Sequence, residues 1–215
     1  MNRKALPGRW FVFITGLFIM SFGVALSVKA DLGISPISCV PYVFSLKYSL
    51  TLGQLTVIFN SLLILLQILI LRKRYRIFQL IQLPVIFLFG IFIDLALYLT
   101  AGFSMENYLV RLLLCLASCV VIGIGVFLEV RAGITYLPGE GLALAVSEAL
   151  GIDFGRAKTG TDSAMVILGI ISSIVLLQSL QGIREGTLIS ALLIGFIART
   201  LVLIPIPGKA EQSGT

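Results

Sequence analysis

Asp94 stands inside the apolar run "LFGIFIDLALYL", and Arg111 and Arg199 stand inside two further apolar runs. An ionised group in hydrocarbon costs about 2.5–3.5 kcal/mol on insertion scales, so each should face a partner or a watery cavity. Along a helical hairpin over 80–128, at about 1.5 Å per residue, Arg111 falls about 6 Å axially from Asp94, while Arg199 sits at another depth. The expected pair is Asp94–Arg111, direct or bridged by a substrate, a water or a third residue. Two readings stand together: an ion pair that locks two helices, and a polar site within the membrane.

Two short segments hold the other polar candidates. Ser35-Pro36 reads as an N-cap followed by proline at the first helical position, and Pro138-Gly139-Glu140 occupies an equivalent place. Each short helix would present free N–H groups and a positive dipole end, which can hold an anion or a carboxylate. Prolines and glycines also simply make bends, so the structural reading stays open. Glu140 is the best acidic candidate because it lies at a predicted helix start. Glu129, Glu148 and Asp153 read mostly as loop charges. Asn60 and Asp162 lie on the spans that follow the short segments, where they line a cavity or bond between helices.

Other chemistries find little support. The chain has no histidine, which removes imidazole metal sites and triads. Cys115 and Cys119 sit one helical turn apart in an apolar run and read as packing residues. "GRAKTGT" at 155–161 has a phosphate-loop spacing, but Thr161 stands where the lysine is needed. No nucleophile sits beside a base, so no enzyme activity is expected, and nothing calls for a cofactor or a metal. The net charge of +6 comes without the basic stripe and module of a nucleic-acid binder.

The elements that must position these residues follow from composition. Hydrophobic residues make up 58% of the 215-residue chain and charged ones 12%, about half the charged share of a soluble domain. Apolar runs at about 10–28, 52–71, 80–100, 109–128, 163–180 and 187–206 are each long enough to cross a bilayer. The runs 34–46 and 137–150 reach only about 20 Å and are read as re-entrant or interfacial helices. The basic start "MNRKALPGRW" resembles a signal peptide, but the following apolar run is long, so a retained first span is expected. With six spans, "RKRYR" at 72–76 and most other basic residues fall on the side of both termini, which the positive-inside rule makes cytoplasmic. With eight spans the bias vanishes.

Gly125 follows Gly23 by 102 residues, and the same shift pairs Lys29 with Arg131, Pro36 with Pro138, Gly53 with Gly155 and Asn60 with Asp162. A slightly larger shift pairs Asp94 with Arg199. Three spans per half is odd, so the second half enters the membrane from the opposite side. The expected fold is all-α and polytopic: six transmembrane spans in two inverted three-span repeats, 1–104 and 105–215, each with one short helix.

"FGVALSVKADLGISP" resembles the opening phrase of the YczE/YyaS type of bacterial integral membrane protein, itself distantly similar to the YitT type. "PGEGLALAVSEALGIDFGRAK" and "IREGTLISALLIGFIAR" are similar to that group's second and closing phrases. The likeness covers nearly the whole chain. Glu140 and Glu185 depart from the group's usual residues. The resemblance implies a bacterial cytoplasmic membrane protein and supplies no catalytic residues. The expected function is a small-solute permease or transporter-like carrier for a polar or anionic solute, with Pro36, Asn60, Asp94, Arg111, Pro138, Glu140, Asp162 and Arg199 as candidate binding residues. The alternative is a non-transporting accessory or regulatory membrane protein, for instance supporting secondary-metabolite production or export. It would act through a homo-oligomer or a membrane partner.

Overall fold

The structure is a computed structural model that describes residues 6–102 and 105–203, with the side chains of Arg199, Val202 and Leu203 outside the description. Among these residues eight α-helices run α1 Leu6–Ala30, α2 Pro36–Lys47, α3 Leu52–Leu71, α4 Gln82–Leu99, α5 Tyr108–Ala132, α6 Pro138–Leu150, α7 Phe154–Leu177 and α8 Glu185–Leu203. No strand occurs among the described residues. Local chemistry explains where the helices begin and end. Thr51 and Gln54 form a reciprocal capping box before α3, Asn107 caps α5, and Asp153 caps α7. Proline takes the first position of α2 and α6, where its missing N–H costs nothing. Gly133 and Gly151 close α5 and α6 in the left-handed conformation, which glycine adopts without a Cβ clash.

Among the described residues five helical stretches are long and apolar enough to cross a membrane: Leu6–Ala30, Leu52–Arg74, Ile77–Leu99, Tyr108–Ala132 and Phe154–Leu177. The sixth expected crossing, at 187–206, falls on α8. Its shorter apolar stretch is Glu185–Ala198, and 204–206 lie outside the described residues. Many large apolar side chains point outward, among them Phe11, Leu69, Leu113 and Val175. Such a surface suits acyl chains rather than water. Helices in that solvent associate through close backbone approach and internal polar bonds, because the lipid is as apolar as their side chains.

The core is the crossing of α1 and α5, and small residues set its spacing. A Cβ on Gly23 would lie 2.9 Å from Ile122 N and 3.2 Å from Ser118 O. A Cβ on Gly125 would lie 2.8 Å from both Met20 N and Gly16 O. These two contacts are the same contact moved by 102 residues. The pattern repeats elsewhere. A Cβ on Gly141 of α6 would lie 2.8 Å from Gln67 Oε1 of α3, and one on Gly169 of α7 would lie 2.8 Å from Cys39 Cβ of α2. Each short helix thus packs against the other half of the chain. Their starts meet where Gly139 abuts Ile37, and these two residues are themselves 102 apart.

The expected Asp94–Arg111 pair does not form. Asp94 accepts from Thr51 Oγ1 at 2.6 Å and from Gly53 N at 2.8 Å, so it ties α4 to the first turn of α3. An N-terminal turn has free N–H groups and a positive dipole end, which satisfy a carboxylate without any arginine. Arg111 donates through Nε to Ala30 O at 2.8 Å and through a terminal nitrogen to Asp31 O and Asp31 Oδ2, each at 2.5 Å. It closes the C-terminus of α1. The axial estimate placed both residues near one end of the bundle but ignored helix termini as partners.

Candidate functional site

The sequence candidates separate into three places. Asp94 and Arg111 hold helix ends, as above. Pro36 and Asn60 lie buried in the first half. The Asn60 side chain is 2% exposed, and its Oδ1 has no hydrogen-bond donor. Glu140 and Asp162 come together through Lys158 where α6 meets α7, with Pro138 at the start of α6 and Glu129 of α5 bonded to Leu137 just before it. The side chain of Arg199 is not among the described residues.

Lys158 organises this third place. Its Nζ donates to Asp162 Oδ1 at 2.6 Å, one turn along α7, and sits 3.7 Å from Glu140 Oε1. Glu140 occupies the first turn of α6, so the ammonium bridges α6 to α7. Side-chain exposure is 29% for Lys158, 21% for Glu140 and 17% for Asp162, and an ion pair this sheltered is screened less than a surface one. Glu129 lies behind it, 1% exposed. Its Oε1 accepts from the backbone N–H of Leu137 at 2.6 Å, while Oε2 has no partner. Leu137 is the N-cap residue of α6. Two carboxyl groups of the chain therefore already occupy the positive end of α6, the place expected to receive a solute anion.

Sequence reasoning passed over three groups that matter here. Glu129 reads as a loop charge because it lies three residues from a helix end, yet α5 runs on and buries it. Gln67 and Gln82 are almost fully buried. Gln67 Nε2 donates to Pro138 O at 3.1 Å and to Gln82 Oε1 at 3.3 Å, tying α3 and α4 to the start of α6. A glutamine in an apolar span was the available signal, since buried amides need partners. The third group is Arg9. It donates to Ala132 O at 2.7 Å and Gly133 O at 2.6 Å, closing α5. Arg111 follows Arg9 by 102 residues, and the carbonyls of Ala30 and Asp31 precede those of Ala132 and Gly133 by the same step. Both arginines bond two backbone carbonyls, at equivalent places.

The polar residues differ across that step. Ser27, Ser38, Thr56 and Asn60 stand where the second half has Glu129, Glu140, Lys158 and Asp162. All four are buried and neutral. Cys39 lies beside them. Its thiol is fully buried and lies against the carbonyl oxygens of Ile34 and Ser35. Among the described residues no cluster of acidic, cysteine or histidine side chains is placed to hold a metal ion.

An open cleft of about 260 Å³ reaches the start of α6. Its walls include Gln79, Gln82, Gly133, Thr135, Tyr136 and Gly141, so it opens beside the turn that Glu129 holds. A second, of about 530 Å³, adjoins it between Arg74, Arg76 and Gln79 on one side and Leu144, Ser147 and Glu148 on the other.

With this geometry in place, likeness to known proteins adds identity. The Bacillus subtilis (strain 168) "Uncharacterized membrane protein YczE" is 30% identical over 199 residues, 92% of this chain and 86% of that protein. "Uncharacterized protein YyaS" of the same organism is 26% identical over 164 residues, 76% of this chain and 80% of its own. No solved structure matches. The chain is a multi-pass membrane protein, and residues 7–202 match the family of unknown function DUF6198, to which it therefore belongs.

Proposed function

We propose that the protein is a small permease rather than an enzyme. It would carry a small polar solute past the start of α6, in the cytoplasmic membrane of a bacterium, with both termini inside. One observation carries this reading. A fully buried carboxyl, Glu129, and a sheltered Glu140–Lys158–Asp162 set lie within apolar helices at the start of a helix too short to cross. Membrane interiors keep such groups where they serve a pathway. Two features support six spans in two inverted repeats: the contacts that recur at a step of 102 residues, and the meeting of both short helices at Ile37 and Gly139. Transporters commonly place sites at such broken helices. The carboxyl groups at the start of α6 favour a neutral or positively charged solute over an anion.

The test is solute flux in reconstituted vesicles, run with the natural sequence and with Glu140→Gln and Asp162→Asn. The variants should lose at least about tenfold in rate, about 1.4 kcal/mol in the barrier, while staying folded. Equal flux in all three would remove the cluster from the pathway. Single cysteines introduced at positions 74 and 105 should label from opposite membrane faces, 74 from inside, and labelling of 74 from outside would end the six-span reading.

A second reading, an accessory membrane protein, rests on the packing between the short helices. Gly139 touches Ile37, and Gln67 fills the space beside Gly141. A scaffold would keep this seam closed at all times. Disulfide trapping between cysteines placed at 37 and 139 separates the two: it should stop a permease and leave a scaffold working.

A further inference from the structure

We propose that the cleft between the 72–82 connector and α6 is a binding site for an anionic phospholipid whose headgroup carries hydroxyl groups. This inference does not depend on transport. It begins with charge. Arg74 and Arg76 line one wall and Glu148 the other, so two guanidinium groups face one carboxylate and the cleft takes a single negative charge. Arginine matches phosphate oxygens with its planar fork of donors.

The second argument is hydrogen bonding. Gln79 lines both clefts, and its Oε1 is enclosed with no donor. The Glu148 carboxylate offers only acceptors. A bare phosphate would satisfy the arginines and leave both of these groups without donors. A headgroup that joins phosphate to hydroxyl groups supplies what each wall lacks.

The third argument is position. Ile77 and Phe78 are 82% and 67% exposed, directly beside the arginines. Exposed apolar side chains next to basic ones at the end of a membrane span fit a lipid, with acyl chains along Phe78 and the headgroup on the guanidinium groups. The connector and α6 belong to different halves of the chain, so one bound lipid would clip them together.

The experiment uses the full-length protein in neutral phosphatidylcholine nanodiscs. Phosphatidylglycerol is added by mole fraction, bound lipid is read by native mass spectrometry, and stability is read by thermal unfolding. The unfolding midpoint should rise with phosphatidylglycerol. Arg74→Gln/Arg76→Gln should weaken lipid retention by about tenfold and flatten that rise, whereas Arg72→Gln/Lys73→Gln, outside the cleft, should leave most of both. Equal losses in the two double variants would mean diffuse attraction to the surface and would overturn the site. So would equal retention of phosphatidylethanolamine, or full displacement of phosphatidylglycerol by inorganic phosphate at matched ionic strength. Should the arginine variant fail to fold, Glu148→Gln in an otherwise natural chain decides. Loss of the preference for phosphatidylglycerol over phosphatidic acid supports the site, and an unchanged preference overturns it.

Discussion

The two halves of the chain share several close contacts and carry different chemistry. Arg9 and Arg111 each bond the last carbonyls of the other half's first helix. Gly23 and Gly125 each admit the opposite helix. Yet Ser27, Ser38, Thr56 and Asn60 in the first half answer to Glu129, Glu140, Lys158 and Asp162 in the second. The contacts that set helix spacing are shared because both halves meet at one seam, where a change on either side disturbs both. The charged side chains of the second half meet one another across α6 and α7. The scaffold is paired, and the candidate site is not.

The largest expected effect tests the seam itself. Gly139→Ile alone should collide with Ile37 and destabilise the protein by about 3 kcal/mol or more in detergent unfolding. Exchanging the two residues, Ile37→Gly with Gly139→Ile, should return most of that loss, because the same volume then crosses from the other side. A double variant as unstable as the single one would break the equivalence of the two helix starts.

Next comes a pair where the halves part. A Cβ at Gly53 would run into the Gly90 carbonyl and lie 2.6 Å from the Asp94 carboxylate. Gly53→Ala should therefore cost about 2–3 kcal/mol. Its counterpart Gly155 meets only the side-chain oxygen of Asp153, at 2.9 Å. Gly155→Ala should stay within about 0.5 kcal/mol, since the neighbour is exposed and movable. Equal costs would mean that α7 also has a close partner at that point.

The arginines give smaller numbers. Arg111→Met should lose about 1–2 kcal/mol, the usual scale for charge-assisted bonds to helix-end carbonyls with some exposure. Arg9→Met should lose slightly less, because Arg111 also pairs with Asp31 and that exposed ion pair adds little. Lysine should rescue neither position fully, since it lacks the fork. A cost at one arginine alone would show that the equivalent bonds are unequal in weight.

Glu129→Gln should be the mildest, below about 1 kcal/mol, because the amide oxygen still accepts from Leu137 N. Glu129→Leu removes that acceptor and should cost about 1–3 kcal/mol. Ser27→Ala, at the equivalent position, removes only a bond from Ser27 Oγ to Val24 O within its own helix and should match the glutamine variant. If Glu129→Gln unfolds the protein, the carboxylate is structural and the cluster loses its place in the proposed pathway.

How much was legible varied with the physical range of the signal. Long apolar runs are local, and five of the expected spans coincide with helices long and apolar enough to cross a membrane among the described residues. The prolines at 36 and 138 mark helix starts by their own geometry, and both do so in the structure. Asp94 was misread because its true partners, the Thr51 hydroxyl and the Gly53 N–H, appear in sequence only as an ordinary cap. Glu129 was missed because burial near a helix end depends on what packs over it. Arg9 was missed because a basic residue near the start of a span looks like a topology marker, not a bond to residue 132.

The sequence by itself determined that the protein lives in a membrane, that it is helical, and where its short helices begin. Those properties follow from side-chain hydrophobicity, backbone hydrogen bonding in lipid, and the positions of glycine and proline. Only the tertiary structure decided which charges meet. Partner choice for a charged group depends on distances of a few ångströms between helices far apart in the chain, and helix termini compete with side chains for every such group. That competition took Asp94 and Arg111 to helix ends and left Glu140, Lys158 and Asp162 together beside a buried Glu129.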